Sequence, residues 1–509
     1  MASLKLGETP PGLSDLRRLL RGPAPVLELD PAALARVETS RRAVDDALEQ
    51  GEVRYGINTG FGKFSQVVIP PDQLRALQAN LVRSHAAGVG EPLDLGICRL
   101  AFALRIGNLA RGYSGVRPKL IEHALAVFNA GIVPRLPSRG SVGASGDLAP
   151  LAHMAQVLMG EGRAWLDGKE MSGAEALASA GLAPIELAAK EGLALLNGTQ
   201  VSTALLADAV FGTRILAAVA DIACAITTEA YKGTWLVYDE RIHRLRGQPG
   251  QLVSASNLRR LLLDSEILVG HEDCDRVQDP YSLRCAPQVH GASRDMLKHC
   301  EGVLRTEAFA VTDNPLVLDG VDIVSGGNFH AQPIAICADA LKIAAAEFAS
   351  ISERRTEILV NPDISGLPAF LAQQGGLESG LMIGQVTAAA LVSENKVLAH
   401  PASVDSIPTS AGKEDHVSMA PAAGIQCRQI VRNSQYVLAI ELMTGFHGLG
   451  FEQELQPGKG VAAARDVLAT VLAPLHGDRM LSNDIEAVFG LVRDGTLVAA
   501  VEEAVGELD

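Results

Sequence analysis

A run of small residues between positions 140 and 150 constrains this chain more than any other feature. It reads Gly-Ser-Val-Gly-Ala-Ser-Gly-Asp-Leu-Ala-Pro, with glycine at its first, fourth and seventh positions. Glycine permits backbone angles and close approaches that other residues do not. Aspartate is typical at a helix start and proline is accepted in a first turn, so the run predicts a tight turn and a helix capped by Asp147. Apolar residues from Leu151 to Leu158 place that helix in the core.

Composition favours helices over strands. Apolar residues make up 48% of the 509 residues and aromatic residues only 4%, so alanine and leucine supply most of the core. Helical patterns run from 185 to 231 with a break at 197–199, from 331 to 360, and from 380 to 400. Repeated long helices with short links predict an all-α bundle.

Charge and cysteine usage exclude several classes of partner. The net charge of −15, without a compensating basic cluster, argues against nucleic acid. The first residues hold no apolar signal core, and charges such as Asp208 and Asp221 interrupt the most apolar stretches, so we expect no membrane-spanning segment. Seven cysteines without a Cys-x-x-Cys pair suit a reducing compartment, which predicts a cytoplasmic protein.

One short run carries residue types that bind metals. His271, Glu272, Asp273, Cys274 and Asp275 are consecutive, but no second ligand cluster with the spacing of a tetrahedral site accompanies them. We therefore interpret the run as a solvated loop and expect no metal.

Ala144-Ser145-Gly146, called the tripeptide below, and the residues around it resemble the signature of the aromatic amino-acid ammonia-lyase and aminomutase family. In that family the equivalent glycine nitrogen attacks the alanine carbonyl. Loss of water, including the serine hydroxyl, leaves an electrophilic 4-methylidene-imidazole-5-one ring (MIO). From composition alone, an ordinary loop that caps a helix is the alternative. Further motifs, in the family's order and over nearly the whole chain, favour the ring.

Two of these motifs resemble the family's catalytic and ring-binding segments. Tyr55 opens Tyr-Gly-Ile-Asn-Thr-Gly-Phe-Gly, which is similar to a mobile lid loop whose tyrosine is the proposed base. A free phenol is mostly protonated at neutral pH, so a lowered pKa would favour this role, and we expect helix N-termini aimed at the site to lower it. The resemblance makes His85 and Glu414 ligands of the substrate ring, and Glu414 alternatively assists proton transfer.

Other motifs resemble segments that hold the amino-acid part of the substrate. The resemblance implies that Asn197, Gln278 and Tyr281 orient the amine and carboxylate, and that Arg284 binds the carboxylate. A guanidinium fork fits a carboxylate bidentately, although a buried structural ion pair is an equal alternative for Arg284. Phe329 matches a ring that packs beside the MIO, with an ordinary core position as its alternative.

Within the family, Ser84-His85 and the run 414–419 resemble the lyases specific for histidine. The implied reaction converts L-histidine to trans-urocanate and ammonium. The resemblance also implies a fumarase/aspartase-like all-α fold and a homotetramer with shared active sites. It further suggests an N-terminal lobe over 1–196, carrying the tyrosine loop and the tripeptide, and a central bundle with C-terminal helices over 197–509.

Four residues depart from the family's pattern: Gln332, Lys413, Ala286 and His290. Lys413 either lowers the pKa of the neighbouring Glu414 or faces solvent. These departures leave two alternatives open. One is a lyase or 2,3-aminomutase acting on tyrosine or phenylalanine with the same MIO chemistry. The other is a helical scaffold, or a fumarase-type relative, without MIO.

Overall fold

The computed structural model describes residues 3–271 and 276–509, and helices dominate them, which confirms the predicted all-α class. The helices are α1 Leu13–Arg21, α2 Pro31–Glu49, α3 Leu74–His85, α4 Leu95–Ala110, α5 Pro118–Asn129, α6 Leu148–Leu158, α7 Gly173–Ser179, α8 Glu191–Leu196, α9 Gln200–Tyr231, α10 Glu240–Arg246, α11 Pro249–Leu261, α12 Glu266–Val269, α13 Tyr281–Arg284, α14 Ala286–Glu307, α15 Gln332–Val360, α16 Pro362–Ser365, α17 Met382–Leu398, α18 Ala420–Leu449, α19 Lys459–Leu468, α20 Leu481–Asp494 and α21 Thr496–Val505.

Short strands form small sheets between the helices. They are β1 Ser3–Leu6, β2 Val26–Leu29, β3 Val89–Pro92, β4 Val133–Pro134, β5 Pro137–Arg139, β6 Arg163–Leu166, β7 Lys169–Ser172, β8 Leu316–Leu318 and β9 Asp322–Val324. β1 pairs with β2 in parallel, β3 with β5 and β8 with β9 are antiparallel, and β6 lies between β4 and β7. Each strand has at most four residues, so these sheets connect helices and form no layer of their own.

The long helices begin and end close to the predicted positions. α8 ends at Leu196 and α9 begins at Gln200, which confirms the break at 197–199. α15 ends at Val360, before Pro362, because proline in a helix interior removes a hydrogen bond and clashes with the preceding turn. The predicted helical start at 185 is wrong: helix begins only at Glu191, after Lys190 adopts a positive φ of 75°.

The described chain divides into two compact units that are discontinuous in sequence. The first contains residues up to 208, 301–339 and 401–425; the second contains 209–300, 340–400 and 426–509. α9, α15 and α18 therefore each contribute their first part to the first unit. The boundary proposed after residue 196 stays a prediction.

α9 is the main apolar helix of the chain. Contrary to the expectation that charges exclude such a stretch, it is long and apolar enough to cross a bilayer by length and composition. However, 89% of its most apolar window is buried inside the protein. That burial is typical of the core helix of a globular protein.

Candidate active site

The turn formed by residues 140–147, called the tripeptide turn below, is held by residues distant in sequence. The Met419 amide donates to the Val142 carbonyl oxygen over 2.8 Å. The Ser418 hydroxyl donates to the Gly143 carbonyl oxygen, also over 2.8 Å, and the Ala331 amide donates to the same oxygen over 3.4 Å. Three residues that immediately precede the two long helices α15 and α18 thus fix the turn in the first unit, two through backbone amides and one through a side-chain hydroxyl.

Gly146 fits its position only as glycine. Its φ of +74° is in the left-handed region, and a Cβ atom added there would lie 2.2 Å from the Gly198 carbonyl oxygen. The Asp147 amide donates to that same oxygen over 2.7 Å. Ala144, on the other side of Ser145, is 5% exposed. The backbone is therefore compact and shielded where the resemblance places ring closure, and the residues present fit the MIO group.

Asp147 does not cap the helix that follows it, which corrects the prediction. It occupies the N-cap position of α6 without a side-chain bond to that helix. Instead its carboxylate accepts hydrogen bonds from the Ser202 amide (2.8 Å) and hydroxyl (2.6 Å), in the first turn of α9. Burial raises the pKa of Asp147 to about 6, and the bonds from Ser202 oppose that rise. Asp147 thereby ties the tripeptide turn to the start of α9.

Asn197 contacts the tripeptide directly. Its Nδ2 donates to the Ser145 carbonyl oxygen over 3.1 Å. Its Oδ1 is buried and has no hydrogen-bond partner within the described residues. A buried acceptor without a donor is costly, so this oxygen is available to a ligand that carries one, such as an ammonium group.

Glu414 reaches the tripeptide from the loop before α18. The Ser145 hydroxyl donates to its Oε1 over 2.6 Å. Its other oxygen, Oε2, accepts from the Thr409 hydroxyl, also over 2.6 Å. Both carboxylate oxygens are thus oriented by hydroxyl groups.

Tyr55 lies in an irregular loop, as predicted, but its pKa shifts in the unexpected direction. Burial raises the pKa of the phenol, the Glu414 charge raises it further, and a hydrogen bond from the Gly62 backbone lowers it only in part. The expectation of a lowered pKa is therefore wrong for this chain. The effect of Glu414 places the phenol and that carboxylate within electrostatic reach of each other.

His85 ends α3 and presents a defined nitrogen. Its Nδ1 lies 2.9 Å from the Leu81 carbonyl oxygen. A carbonyl oxygen only accepts, so Nδ1 carries the proton, and the neutral ring leaves Nε2 as a hydrogen-bond acceptor. Burial lowers the pKa of His85, while the Glu414 charge opposes that shift. The neutral form, with an accepting Nε2, is therefore favoured.

Phe329 is half-buried on the segment before α15. The next residue, His330, contacts His416: its Nε2 lies 3.1 Å from the His416 carbonyl oxygen, and the two imidazole rings stack with centroids 5.8 Å apart. These contacts connect the Phe329 segment to the loop that carries Glu414.

The second unit holds the remaining predicted residues, Gln278, Tyr281 and Arg284. The guanidinium of Arg284 stacks 4.3 Å from the Tyr281 ring centroid, and its Nε donates to the Asp279 carbonyl oxygen over 3.1 Å. Arg284 has no ion pair within the described residues, and its role stays a prediction. Tyr281 is 70% exposed and Gln278 is exposed.

Comparison with known proteins decides the family. The family model described as "Aromatic amino acid lyase" matches residues 12–470. The chain belongs to this family. It is 52% identical to the histidine ammonia-lyase of Gloeobacter violaceus, over 98% of this chain and 97% of that protein. It is also 52% identical to the histidine ammonia-lyase of Sorangium cellulosum, over 98% and 99% of the two chains.

Solved structures of similar proteins agree with this aromatic amino acid lyase assignment and confirm the fold. The histidine ammonia-lyase from Trypanosoma cruzi superposes with a TM-score of 0.92 at 42% identity, covering 100% of this chain and 96% of that one. A tyrosine aminomutase from Streptomyces globisporus superposes with a TM-score of 0.94 at 32% identity, covering both chains fully.

The departures from the lyase pattern have structural explanations in two cases. His290 is fully buried, with its Nδ1 2.7 Å from Asp221 Oδ1, and Arg294 binds the other oxygen of Asp221 over 2.6 Å. Lys413 is exposed, which supports the solvent-facing alternative. Gln332 has a buried Oε1 without a partner in the described part of the chain. Nothing in the structure explains Ala286.

The predicted solvated loop lies mostly outside the described residues, since 272–275 are not described. Across 3–271 and 276–509, no group of three or more histidine, cysteine, aspartate or glutamate side chains is placed to hold a metal ion.

Sequence reasoning missed two supporting residues. Arg105 is buried in α4 and donates to the Asn197 carbonyl oxygen over 2.8 Å and to Gln200 Oε1 over 2.9 Å. A charged residue inside the apolar run 95–110 is the signal that would have found it, because buried charges need partners. Thr409, which orients Glu414, carries no such signal because threonine is common in loops.

Proposed function

We propose that this chain is a histidine ammonia-lyase that eliminates ammonia from L-histidine to give trans-urocanate. The observation that carries the proposal is its identity of about one half to histidine ammonia-lyases over nearly their whole length. The side chains of the first unit support the same substrate.

The tripeptide is proposed to form the MIO group in the mature enzyme. Its compact turn and the glycine-only position at Gly146, where the Gly198 backbone lies close by, support this. Once formed, the group supplies an electrophilic methylene that takes up the substrate amine and makes the nitrogen a better leaving group. Side chains of this protein carry out all the other steps.

We assign the recognition of the substrate's side-chain ring to His85 and Glu414. Nε2 of neutral His85 accepts a hydrogen bond, and a carboxylate only accepts. An imidazole ring offers an N–H donor to such acceptors, whereas a phenyl ring offers none. A ligand without donors is disfavoured at partly buried acceptors, because it displaces water from them without replacing the hydrogen bonds of that water. This argument favours histidine over phenylalanine.

The amino-acid part of the substrate is assigned to Asn197, Gln278, Tyr281 and Arg284. The unpartnered Oδ1 of Asn197 accepts from the amine, and the Arg284 fork binds the carboxylate. Gln278 and Tyr281 orient the same groups. Phe329 packs beside the reacting atoms.

Removal of the β-proton is assigned to Tyr55, with Glu414 as the alternative base. A phenol acts as a base only after losing its own proton. Because burial and Glu414 raise the pKa of Tyr55, the ionised fraction grows as the solution becomes alkaline, and turnover is expected to rise with it.

A homotetramer with shared sites is part of the proposal. Exposed apolar side chains on α17, among them Ile383, Val386 and Val397, support burial against another copy. The exposed Tyr281 and Gln278 likewise suit a site completed on assembly. We also propose a cytoplasmic location, on the cysteine pattern.

The test is a panel of purified-protein assays with L-histidine, L-tyrosine and L-phenylalanine. Urocanate absorbance with histidine is the expected result. A product from tyrosine or phenylalanine alone contradicts the substrate, and a β-amino acid product detected by mass spectrometry indicates an aminomutase. An intact mass without loss of water contradicts MIO and favours the scaffold.

A further inference from the structure

The contact between Ser145 and Glu414 has no part in the substrate chemistry proposed above. The Ser145 hydroxyl, which donates to Glu414 Oε1 over 2.6 Å, is the group that MIO formation removes. We propose that Glu414 acts first on the protein itself, as the acid–base catalyst that dehydrates Ser145. This inference rests on the proposed function, because it concerns how the chain prepares its own reactive group.

Two water molecules leave when the tripeptide becomes MIO. In the first step the Gly146 nitrogen bonds to the Ala144 carbonyl carbon. That carbonyl oxygen then leaves as water, taking the amide protons of Gly146 and Ser145, and a carbon–nitrogen double bond forms between Ala144 and Ser145. The ring closes at this stage, and the Ser145 side chain still carries its hydroxyl.

The second water is the one assigned to Glu414. Its carboxylate takes the Cα proton of Ser145, and the electrons of that bond form the Cα–Cβ double bond. The Cβ–Oγ bond breaks, its electrons leave with Oγ, and Glu414 returns the proton to that oxygen. Water departs and Glu414 is ionised again, so no other reactant is needed.

The geometry places Glu414 at the leaving oxygen before the reaction begins. The Thr409 hydroxyl binds Oε2 over 2.6 Å, and the Thr409 amide donates to the Glu414 carbonyl oxygen over 2.9 Å. These bonds orient Oε1 toward Ser145. A positioned acid–base group contributes about 10²–10⁴-fold to a proton-transfer step.

Asn197 assists the same step from the other side of Ser145. Its Nδ2 donates to the Ser145 carbonyl oxygen over 3.1 Å. Loss of the Cα proton pushes negative charge onto that oxygen, and a positioned donor stabilises the charge.

The neighbouring carboxylates are not placed for this role. Asp147 is fully buried and already accepts two hydrogen bonds from Ser202. Asp415 is exposed on the loop. Among the described residues, Glu414 alone accepts from the Ser145 hydroxyl.

The test measures the intact mass of purified, folded protein, so its result does not depend on enzyme activity. The parent chain is expected to lose two water molecules. Glu414→Gln keeps the size of the side chain and removes the base, so it should lose one water or none in most molecules. Asp415→Asn is the matched control on the same loop and should lose both. Ser145→Ala, which has no hydroxyl to eliminate, should lose one at most.

The outcomes separate this inference from the function on which it rests. Loss of both waters in Glu414→Gln, to the same extent as in the parent, overturns the role of Glu414 and leaves the lyase proposal intact. A parent that loses no water overturns both. If Glu414→Gln does not fold, Thr409→Val serves instead. This variant keeps Glu414 but frees its Oε2, and it should dehydrate at least about tenfold more slowly after synthesis; an unchanged rate overturns the inference.

Discussion

The tripeptide turn in the first unit and the segment 277–285 in the second contrast in how they are supported. Ala144 is 5% exposed, and the turn is tied down by hydrogen bonds from residues far away in sequence. Tyr281 is 70% exposed, and Arg284 is held by one backbone oxygen and a stacked ring. The first region is held by hydrogen bonds from its own chain, whereas the second exposes Gln278 and Tyr281 to solvent.

The difference between the two regions shows which chemical step needs a pre-organised backbone. Ring closure between atoms of the same backbone demands a turn fixed before the reaction, because misplaced atoms do not react. Binding a carboxylate demands only a guanidinium that reaches it. We therefore expect substitutions in the tripeptide turn to affect maturation, and substitutions in segment 277–285 to affect substrate binding alone.

The largest effect is expected from Gly146→Ala. The new Cβ would lie 2.2 Å from the Gly198 carbonyl oxygen at a positive φ, so the turn must shift. We expect a penalty of about 4 kcal/mol in activation free energy, which corresponds to roughly a 10³-fold loss of activity. The intact mass should show that water is retained. Gly302→Ala, in open space on α14, is the matched control and should leave both measurements unchanged. Normal maturation of Gly146→Ala would contradict the comparison.

The second-largest effect is expected at Tyr55 and concerns how turnover depends on pH. If its phenolate is the base, the raised pKa means that turnover increases as pH rises, because only the deprotonated form accepts the β-proton. Tyr55→Phe should lower kcat by about 10²-fold, abolish that rise and leave the loss of two waters intact. Turnover within a few fold of the parent would move the base role to Glu414.

A smaller effect is expected from Arg284→Lys, which keeps the charge but loses the planar fork. A charged hydrogen bond contributes about 1.5–3 kcal/mol, so KM for L-histidine should rise roughly 10–100-fold with no change in intact mass. The control is Arg276→Lys, because Arg276 also stacks on a tyrosine, with its guanidinium 4.1 Å from the Tyr231 ring centroid. An unchanged KM in Arg284→Lys would remove Arg284 from the carboxylate site.

The smallest effect on activity is expected from Val397→Glu. This exposed α17 side chain has its proposed partner in another copy, so a charge there should weaken assembly and lower activity up to about tenfold at low protein concentration. Both waters should still be lost, because the hydrogen bonds that hold the tripeptide turn come from its own chain. Leu245→Glu, on the exposed face of α10, is the control. Sedimentation analysis that shows unchanged assembly would contradict the proposed interface.

The sequence by itself determined the helical architecture and the tight turn around the tripeptide. Apolar periodicity located α9, α15 and α17, and the polar break at 197–199 separated α8 from α9. Such features are local: they follow from helix geometry and from which residue types a turn accepts. The family resemblance then supplied the candidate side chains.

Only the tertiary structure decided how those side chains act on one another. In the folded chain the Asp147 carboxylate binds α9 instead of α6, and Glu414 contacts the hydroxyl of Ser145. Burial raises the pKa of Tyr55, where a lowered one was expected. Hydrogen bonds and desolvation act over a few ångströms in space. Residues 269 positions apart in sequence, such as Ser145 and Glu414, therefore reveal their interaction only in the folded chain.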